Sequence, residues 1–226
     1  MSDSEHKIGW IGAGKMGSPM IQNLLANKVS VCVSDPDPNA VISIVQKGAR
    51  AAEKLDDMAD TYIVFLTLPN DDVLMMIVAG STGKKGLVDV LARGAIYVDM
   101  STVSPEISSK VAELLESAGI QYVRAPLSGS TAMAESATLT ILASGKESAW
   151  KTVRPYCEML SARQFHLGSG DEARYMKLVV NTLVGGTSAL LAEALSLGQS
   201  GGLTRASMME VIGESAVASP LIKYKS

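Results

Sequence analysis

The chain has 226 residues, 47% of them hydrophobic and 19% charged, enough to bury the core of one large domain or of one domain with a smaller companion, and too apolar for a disordered polymer. A formal net charge of −3, with no basic stripe, argues against a nucleic-acid partner. Two histidines, His6 and His166, and two cysteines without CxxC spacing, Cys32 and Cys157, point away from a His-rich metal site or a histidine-dependent triad and towards free thiols in a reducing compartment. The opening MSDSEHK has no apolar signal core, so a cytoplasmic location is expected, with organelles left open.

In chain order, KIGWIG predicts a first strand and residues 16–27 the helix after it. Between them stands Gly12-x-Gly14-x-x-Gly17, where glycines permit a tight turn and close backbone approach while a helix N-terminus offers N–H groups to a pyrophosphate. Gly12, Ala13, Gly14, Lys15, Met16 and Gly17 are therefore the expected cofactor-binding loop. VSVCVSD reads as the second strand and ends in Asp35, eighteen residues past Gly17. A carboxylate there accepts from an adenosine ribose and repels a 2′-phosphate. With Pro36 following, NAD is favoured, and NADP stays open. A glycine turn with a capping aspartate is the plainer alternative.

Further strands are expected in TYIVFLTLP, GAIYVDMST, IQYVRAP and TLTILASG, and helices in NDDVLMMIV, SPEISSKVAELLESAG and ESAWKTVRPYCEML, the last kinked at Pro155. This alternation predicts a doubly wound, mostly parallel Rossmann-type α/β sheet. It stops near residue 167, giving a dinucleotide-binding domain over 1–167 and an all-α C-terminal domain over 168–226. A helix is predicted from Ser169, with Ser169 and Glu172 as a capping box, to about Leu197. A shorter helix follows in GGLTRASMMEVIGES.

LVVNTLVGGTSALLAEALSL has the length of a membrane span. Asn181, Glu193, the hydroxyls between them and the lack of charged flanks argue instead for a buried soluble helix. Gly185 and Gly186 would admit a second backbone, and an all-round apolar helix predicts cover from a partner subunit, as a homodimer or larger homo-oligomer. Lys177 and Asn181 lie four positions apart on one helix face, where burial begins. A snorkelling lysine would explain the first of them; so would a functional amine.

GWIGAGKMGSPM, LTLPND, VDMSTVSPE, APLSG and GDEARYMKLVVN, in that order, resemble the β-hydroxyacid dehydrogenases, which include 3-hydroxyisobutyrate dehydrogenase and the glyoxylate/succinic semialdehyde reductases. The resemblance covers essentially the whole chain. It implies Lys177 as catalytic acid/base, Asn181 orienting a small carboxylic-acid substrate, and Ser128 and Gly129 binding its carboxylate. Leu68, Pro69 and Thr102 would line the nicotinamide half of the cofactor site, Thr102 also touching substrate. As alternatives, Ser128 could be a turn residue and Thr102 the cap of the helix near Pro105. Burial and the neighbouring Arg174 would both lower the Lys177 pKa. The chain departs from the family pattern at Arg124, Ser130 and Ala137, and SGS with Ala134–Glu135 leans to the semialdehyde-reductase branch. Family members continue past ASPLIKYKS with more helices and a further lysine motif, so a shortened form with a less enclosed groove is expected. A nicotinamide-cofactor-binding or dimerisation module without turnover is the competing expectation; the imine reductases usually replace the lysine at this position, and Lys177 argues against them.

Overall fold

The computed structural model describes residues 7–225, so His6 and the MSDSEH start lie outside the described residues. The chain divides into two compact units after Lys177; residue 167, the expected boundary, lies between the last strand and the long helix.

The first unit begins with β1 (Ile8–Ile11), α1 (Gly17–Ala26), β2 (Val31–Ser34), α2 (Pro38–Val45) and β3 (Arg50–Ala51). It continues through β4 (Ile63–Leu66), α3 (Asp71–Ala79), α4 (Leu87–Val90), β5 (Ile96–Asp99), α5 (Pro105–Ala118) and β6 (Gln121–Arg124). Then come β7 (Leu127–Ser128), α6 (Thr131–Glu135), β8 (Leu139–Gly145), α7 (Glu147–Glu158) and β9 (Ser161–His166). Side chains set the helix starts: Asp37, Asn70, Ser104 and Ser130 each accept a backbone N–H from the first turn of α2, α3, α5 and α6. Ser104 therefore caps α5, and Thr102 does not.

Among the described residues nine strands form one sheet. Strands β3-β2-β1-β4-β5-β6 run parallel in that order. Strand β8 joins β6 antiparallel, β7 pairs antiparallel with β8, and β9 pairs parallel with it. Every residue of β1, β4 and β5 is buried, as a sheet covered on both faces requires. Alternation distributes the core. Ile8, Trp10, Phe65 and Val98 pack on one face with Met20 and Leu24 of α1 and Val153 of α7. Val64, Leu66 and Tyr97 pack on the other with Leu74 of α3 and Val111 and Leu115 of α5.

The long helix is α8 (Glu172–Ser200), 29 residues, starting three positions later than expected. The Ser169–Glu172 capping box is replaced: the Glu172 carboxylate accepts the Gly170 N–H at 2.7 Å, and the Asp171 carbonyl accepts the N–H groups of Arg174 and Tyr175. Asp171 is held outside the helix because Ser108 and Ser109 both donate to its carboxylate. Within the chain itself little of α8 is covered. Only Ala173 and Arg174 of α8 are buried among the described residues, while Leu183, Leu190 and Leu197 stand exposed, and nothing described lies within 4 Å of a Cβ built on Gly185 or Gly186. By length and composition α8 also satisfies the requirement for a membrane-crossing helix.

The second unit contains the rest of α8, then α9 (Arg205–Glu214), capped by Thr204, and α10 (Pro220–Lys225). Met208 packs directly on Gly198, where a Cβ would collide with its sulfur, and Met208, Met209 and Ile222 are buried.

Candidate active site

In this strand order the chain leaves β1 for β2 on one side and returns at β4 on the other. The crevice beyond the carboxyl ends of β1 and β4 is the topological switch point, where open α/β sheets bind ligands. A cleft of about 900 Å³ lies there. Its walls include Gly12, Gly14, Lys15, Met16 and Gly17 after β1, Asp35 after β2, Leu68 and Pro69 after β4, Ser101 and Thr102 after β5, and Gly129 and Lys177.

The glycine loop is built for close approach. Gly12 has φ +96°, and a Cβ on it would strike the Thr67 carbonyl. A Cβ on Gly17 would strike the Gly12 carbonyl, whereas one on Gly14 meets nothing within 4 Å and projects into open space. The Gly12 carbonyl is fixed from behind by the Thr67 hydroxyl at 2.6 Å and the Trp10 indole N–H at 3.1 Å. Asp35 holds the loop from the front: Oδ2 accepts the Ala13 N–H at 2.6 Å and Oδ1 the Asp37 N–H at 2.8 Å. Anchored by two backbone donors, this carboxylate lines the cleft. The N–H groups at the start of α1, an uncrowded Gly14 and an acidic residue at the tip of β2 fit a dinucleotide.

Two walls of the cleft are tied to each other. The Ser101 hydroxyl accepts the Leu68 N–H at 2.9 Å, so the turns after β4 and β5 move together. Lys177 is half-buried, and burial pushes its ammonium below the usual lysine range. Arg174 does not contribute to that shift, contrary to expectation. It is 2% exposed and pairs with Asp99 at 2.5 Å, so its charge is spent before it reaches Lys177. Burial would depress the Arg174 guanidinium, but the Asp99 carboxylate beside it holds its pKa above the ordinary value.

Ser128 occupies β7, paired with Thr140 of β8; it is half-buried and, unlike Gly129, is not on the cleft wall. Asn181 is exposed and belongs to the second unit. Trp10, Thr67, Ser101 and the Asp99–Arg174 pair were missed from sequence. Asp99 and Ser101 carried one faint signal, since they are polar and alternate at the end of an apolar strand. Arg174 carried none.

Comparison with known proteins follows the same lines. The family model described as the NAD binding domain of 6-phosphogluconate dehydrogenase matches residues 7–168. The chain is similar to 2-(hydroxymethyl)glutarate dehydrogenase of Eubacterium barkeri, 37% identical over 220 residues, covering 97% of this chain and 72% of that protein. Glyoxylate/succinic semialdehyde reductase 1 of Arabidopsis thaliana is 30% identical over 219 residues, covering 97% and 75%. Among solved structures, 3-hydroxyisobutyrate dehydrogenase of Mycobacterium tuberculosis with L-serine superposes with a TM-score of 0.85 at 26% identity, covering 96% of this chain and 72% of that one.

Proposed function

The chain belongs to the β-hydroxyacid dehydrogenase family and carries its NAD-binding domain, and from that premise we propose that it is an oxidoreductase moving a hydride between a nicotinamide cofactor and a short 3-hydroxy acid, with Lys177 as the general acid/base. One observation carries the reading: the Lys177 side chain borders the same cleft as the glycine loop and the Leu68, Pro69 and Thr102 walls. When bound, NAD supplies the hydride acceptor or donor.

The remaining work falls to side chains of this chain. Gly12 to Gly17 and Asp35 hold the dinucleotide, and the carboxylate of Asp35 favours NAD over NADP. Leu68 and Pro69 present apolar surface that excludes water from the nicotinamide half. Reduction of a carbonyl builds negative charge on oxygen, which the Lys177 ammonium stabilises and to which it gives a proton; in oxidation the neutral amine takes the hydroxyl proton. The lowered pKa of Lys177 brings both forms closer to working pH. The Gly129 backbone, which lines the cleft, is the donor proposed for the substrate carboxylate.

The relatives' names narrow the substrate. 2-(Hydroxymethyl)glutarate and 3-hydroxyisobutyrate both carry a hydroxymethyl group on the carbon next to a carboxylate, and that unit is the substrate class proposed here. The test measures NADH binding by fluorescence and turnover with both acids, glyoxylate, succinic semialdehyde and 3-hydroxypropionate. Turnover of a hydroxymethyl acid or its semialdehyde is expected. Tight NADH binding with no rate on any of them would overturn the reading and leave a cofactor-binding module.

A further inference from the structure

A lysine on a helix points only as steadily as the helix is held. Arg174 precedes Lys177 by one turn of α8 and spends its guanidinium on the segment that walls the cleft. Its Nη1 donates to the Ser101 carbonyl at 2.6 Å, and its Nη2 to Asp99 Oδ2 at 2.5 Å and to the Tyr122 hydroxyl at 3.0 Å. Asp99 Oδ1 accepts the Ser101 N–H at 2.9 Å, and the Ser101 hydroxyl accepts the Leu68 N–H at 2.9 Å. One arginine on the lysine's helix therefore grips the turn after β5, which in turn grips the turn after β4.

Stability alone does not account for this arrangement. A buried ion pair repays its desolvation only when its remaining polar atoms are satisfied. Here Arg174 Nε and Tyr97 Oη are buried without a hydrogen-bond partner among the described residues, and Tyr97 and Asp99 of β5 with Tyr122 of β6 are the titratable groups that act on Arg174. An apolar side chain would fill the space at less cost. What the guanidinium adds is direction. Three hydrogen bonds to atoms of β6, β5 and the turn beyond it fix the rotation of the first turn of α8, and at 3.6 residues per turn that rotation decides where the residue three places on is aimed.

We infer that Arg174 is a positioning residue for Lys177, its bonds to Asp99 and Ser101 setting the lysine amine against the Leu68–Pro69 and Thr102 walls of the cleft. The inference rests on the reading of Lys177 as the proton-handling group. The start of α8 has a second tether, Asp171 to Arg124 at 2.5 Å and to Ser108 at 2.6 Å, so loss of Arg174 frees the rotation without detaching the helix.

The test uses the full chain as Arg174→Met/Asp99→Asn, which removes both buried charges as a neutral unit, and as Arg174→Lys. Four quantities are read: NADH affinity by fluorescence, kcat and KM on the acid the wild type accepts, and the titration of Lys177 itself by pH-dependent amine labelling followed by mass spectrometry. In the double variant kcat is expected to fall ~10–100-fold, the scale of a small misplacement at a reacting centre, while NADH affinity and KM change by less than about threefold. The Lys177 titration moves up towards that of an ordinary lysine as the amine escapes burial. Arg174→Lys recovers part of kcat. A folded double variant with kcat and Lys177 titration both unchanged overturns the inference. If the double variant does not fold, Arg174→Lys decides in the same way: unchanged kcat and titration overturn it. If the wild type turns over none of the acids, the proposed function fails, and the labelling still decides the anchor.

Discussion

Replacing Gly17 by alanine tests the cradle at its tightest point. The added methyl would run into the Gly12 carbonyl oxygen, with the Thr67 hydroxyl at 2.7 Å and the Gly12 carbonyl carbon at 3.0 Å. None of these can turn aside. Two are backbone atoms, and the Thr67 hydroxyl is committed to the Gly12 carbonyl and accepts the Trp10 indole N–H at 3.1 Å. The loop and α1 must separate. A backbone clash belongs near the upper end of the overpacking range, ~3 kcal/mol, against ~1 kcal/mol gained by alanine over glycine in a helix, a net cost of about 2 kcal/mol. For a chain of this size that is a drop in Tm of roughly 4–8 °C. Separation also draws the first N–H groups of α1 away from the bound pyrophosphate, and losing one charge-assisted hydrogen bond, ~1.5–3 kcal/mol, weakens NADH binding by about tenfold or more. Gly14→Ala is the control. Nothing lies within 4 Å of its Cβ, so Tm should hold while the methyl intrudes on the dinucleotide and affinity falls. Differential scanning calorimetry and fluorescence titration read both quantities. A Gly17→Ala protein with wild-type Tm and affinity would refute the cradle, as would a Gly14→Ala protein that loses as much Tm as Gly17→Ala.

Lys177→Met should lower turnover by ~10²–10⁴ with NADH affinity nearly unchanged; turnover close to wild type in steady-state assays would remove the amine from the chemistry. Because burial lowers the Lys177 pKa, the rate of alcohol oxidation should rise with pH through a midpoint below that of an ordinary lysine, and a midpoint at or above the ordinary value would contradict the burial. The same shift affects stability: between the folded and the higher unfolded pKa the unfolded chain binds the extra proton, so this residue's contribution improves as pH rises through that window. Urea unfolding at a series of pH values should show this slope in the wild type and its loss in Lys177→Met. Asp35→Ser with Pro36→Arg should move preference from NAD towards NADP, since a repelling carboxylate gives way to a cation; an unchanged ratio of the two kcat/KM values would show that the ribose is held elsewhere.

The sequence carried the sheet and the nucleotide end in legible form, for a physical reason. Parallel strands buried on both faces are short apolar runs, and a glycine loop between strand and helix has few other uses, so β1, β4, β5 and Gly12 to Gly17 stood out. Asp35 was legible because a carboxylate at the tip of β2 sits at a fixed distance along the chain from that loop. The short edge elements were not. Strand β9 is SARQFH, polar and without alternation, and is a strand only because β8 offers it an edge. The start of α8 was misplaced because Ser169 and Glu172 have the spacing of a capping box, while the competing claim on Asp171 comes from Ser108 and Ser109, some sixty positions away. The effect assigned to Arg174 failed for the same reason. Sequence spacing put its charge one turn from Lys177, and a carboxylate on another strand had already neutralised it.

The buried Asp99–Arg174 pair and the partly buried Arg124–Asp171 pair divide the task of placing the first turns of α8. The second is axial: Burial would raise the Asp171 carboxyl, but the Ser108 hydroxyl and the Arg124 guanidinium hold its pKa below the usual range, and Arg124 also lies over the Tyr122 ring at 4.2 Å. It fixes where the helix begins. The first is rotational and fixes which way the next turn faces. Tyr122 touches both, stacking under Arg124 and accepting from Arg174, so the two settings are not independent. The exposed pairs Lys110–Glu106 and Lys151–Glu147 contribute little to either, because water screens them and their side chains bear on no second element. Replacing Tyr122 with phenylalanine keeps the ring beneath Arg124 and removes the hydroxyl, which serves Arg174 and Asp99 in the rotational set and reaches Ser108 at 3.3 Å in the axial one; it should disturb the rotational setting more than the axial one, where Ser108 and Arg124 keep their bonds to Asp171. The Lys177 titration is expected to move up, as for the Arg174→Met/Asp99→Asn protein, while α8 keeps its start, as hydrogen exchange at the Arg174 and Tyr175 amides would report. Faster exchange at those two amides in the Tyr122→Phe protein would mean that the two ion pairs form a single clamp, and the division of labour argued here would fall.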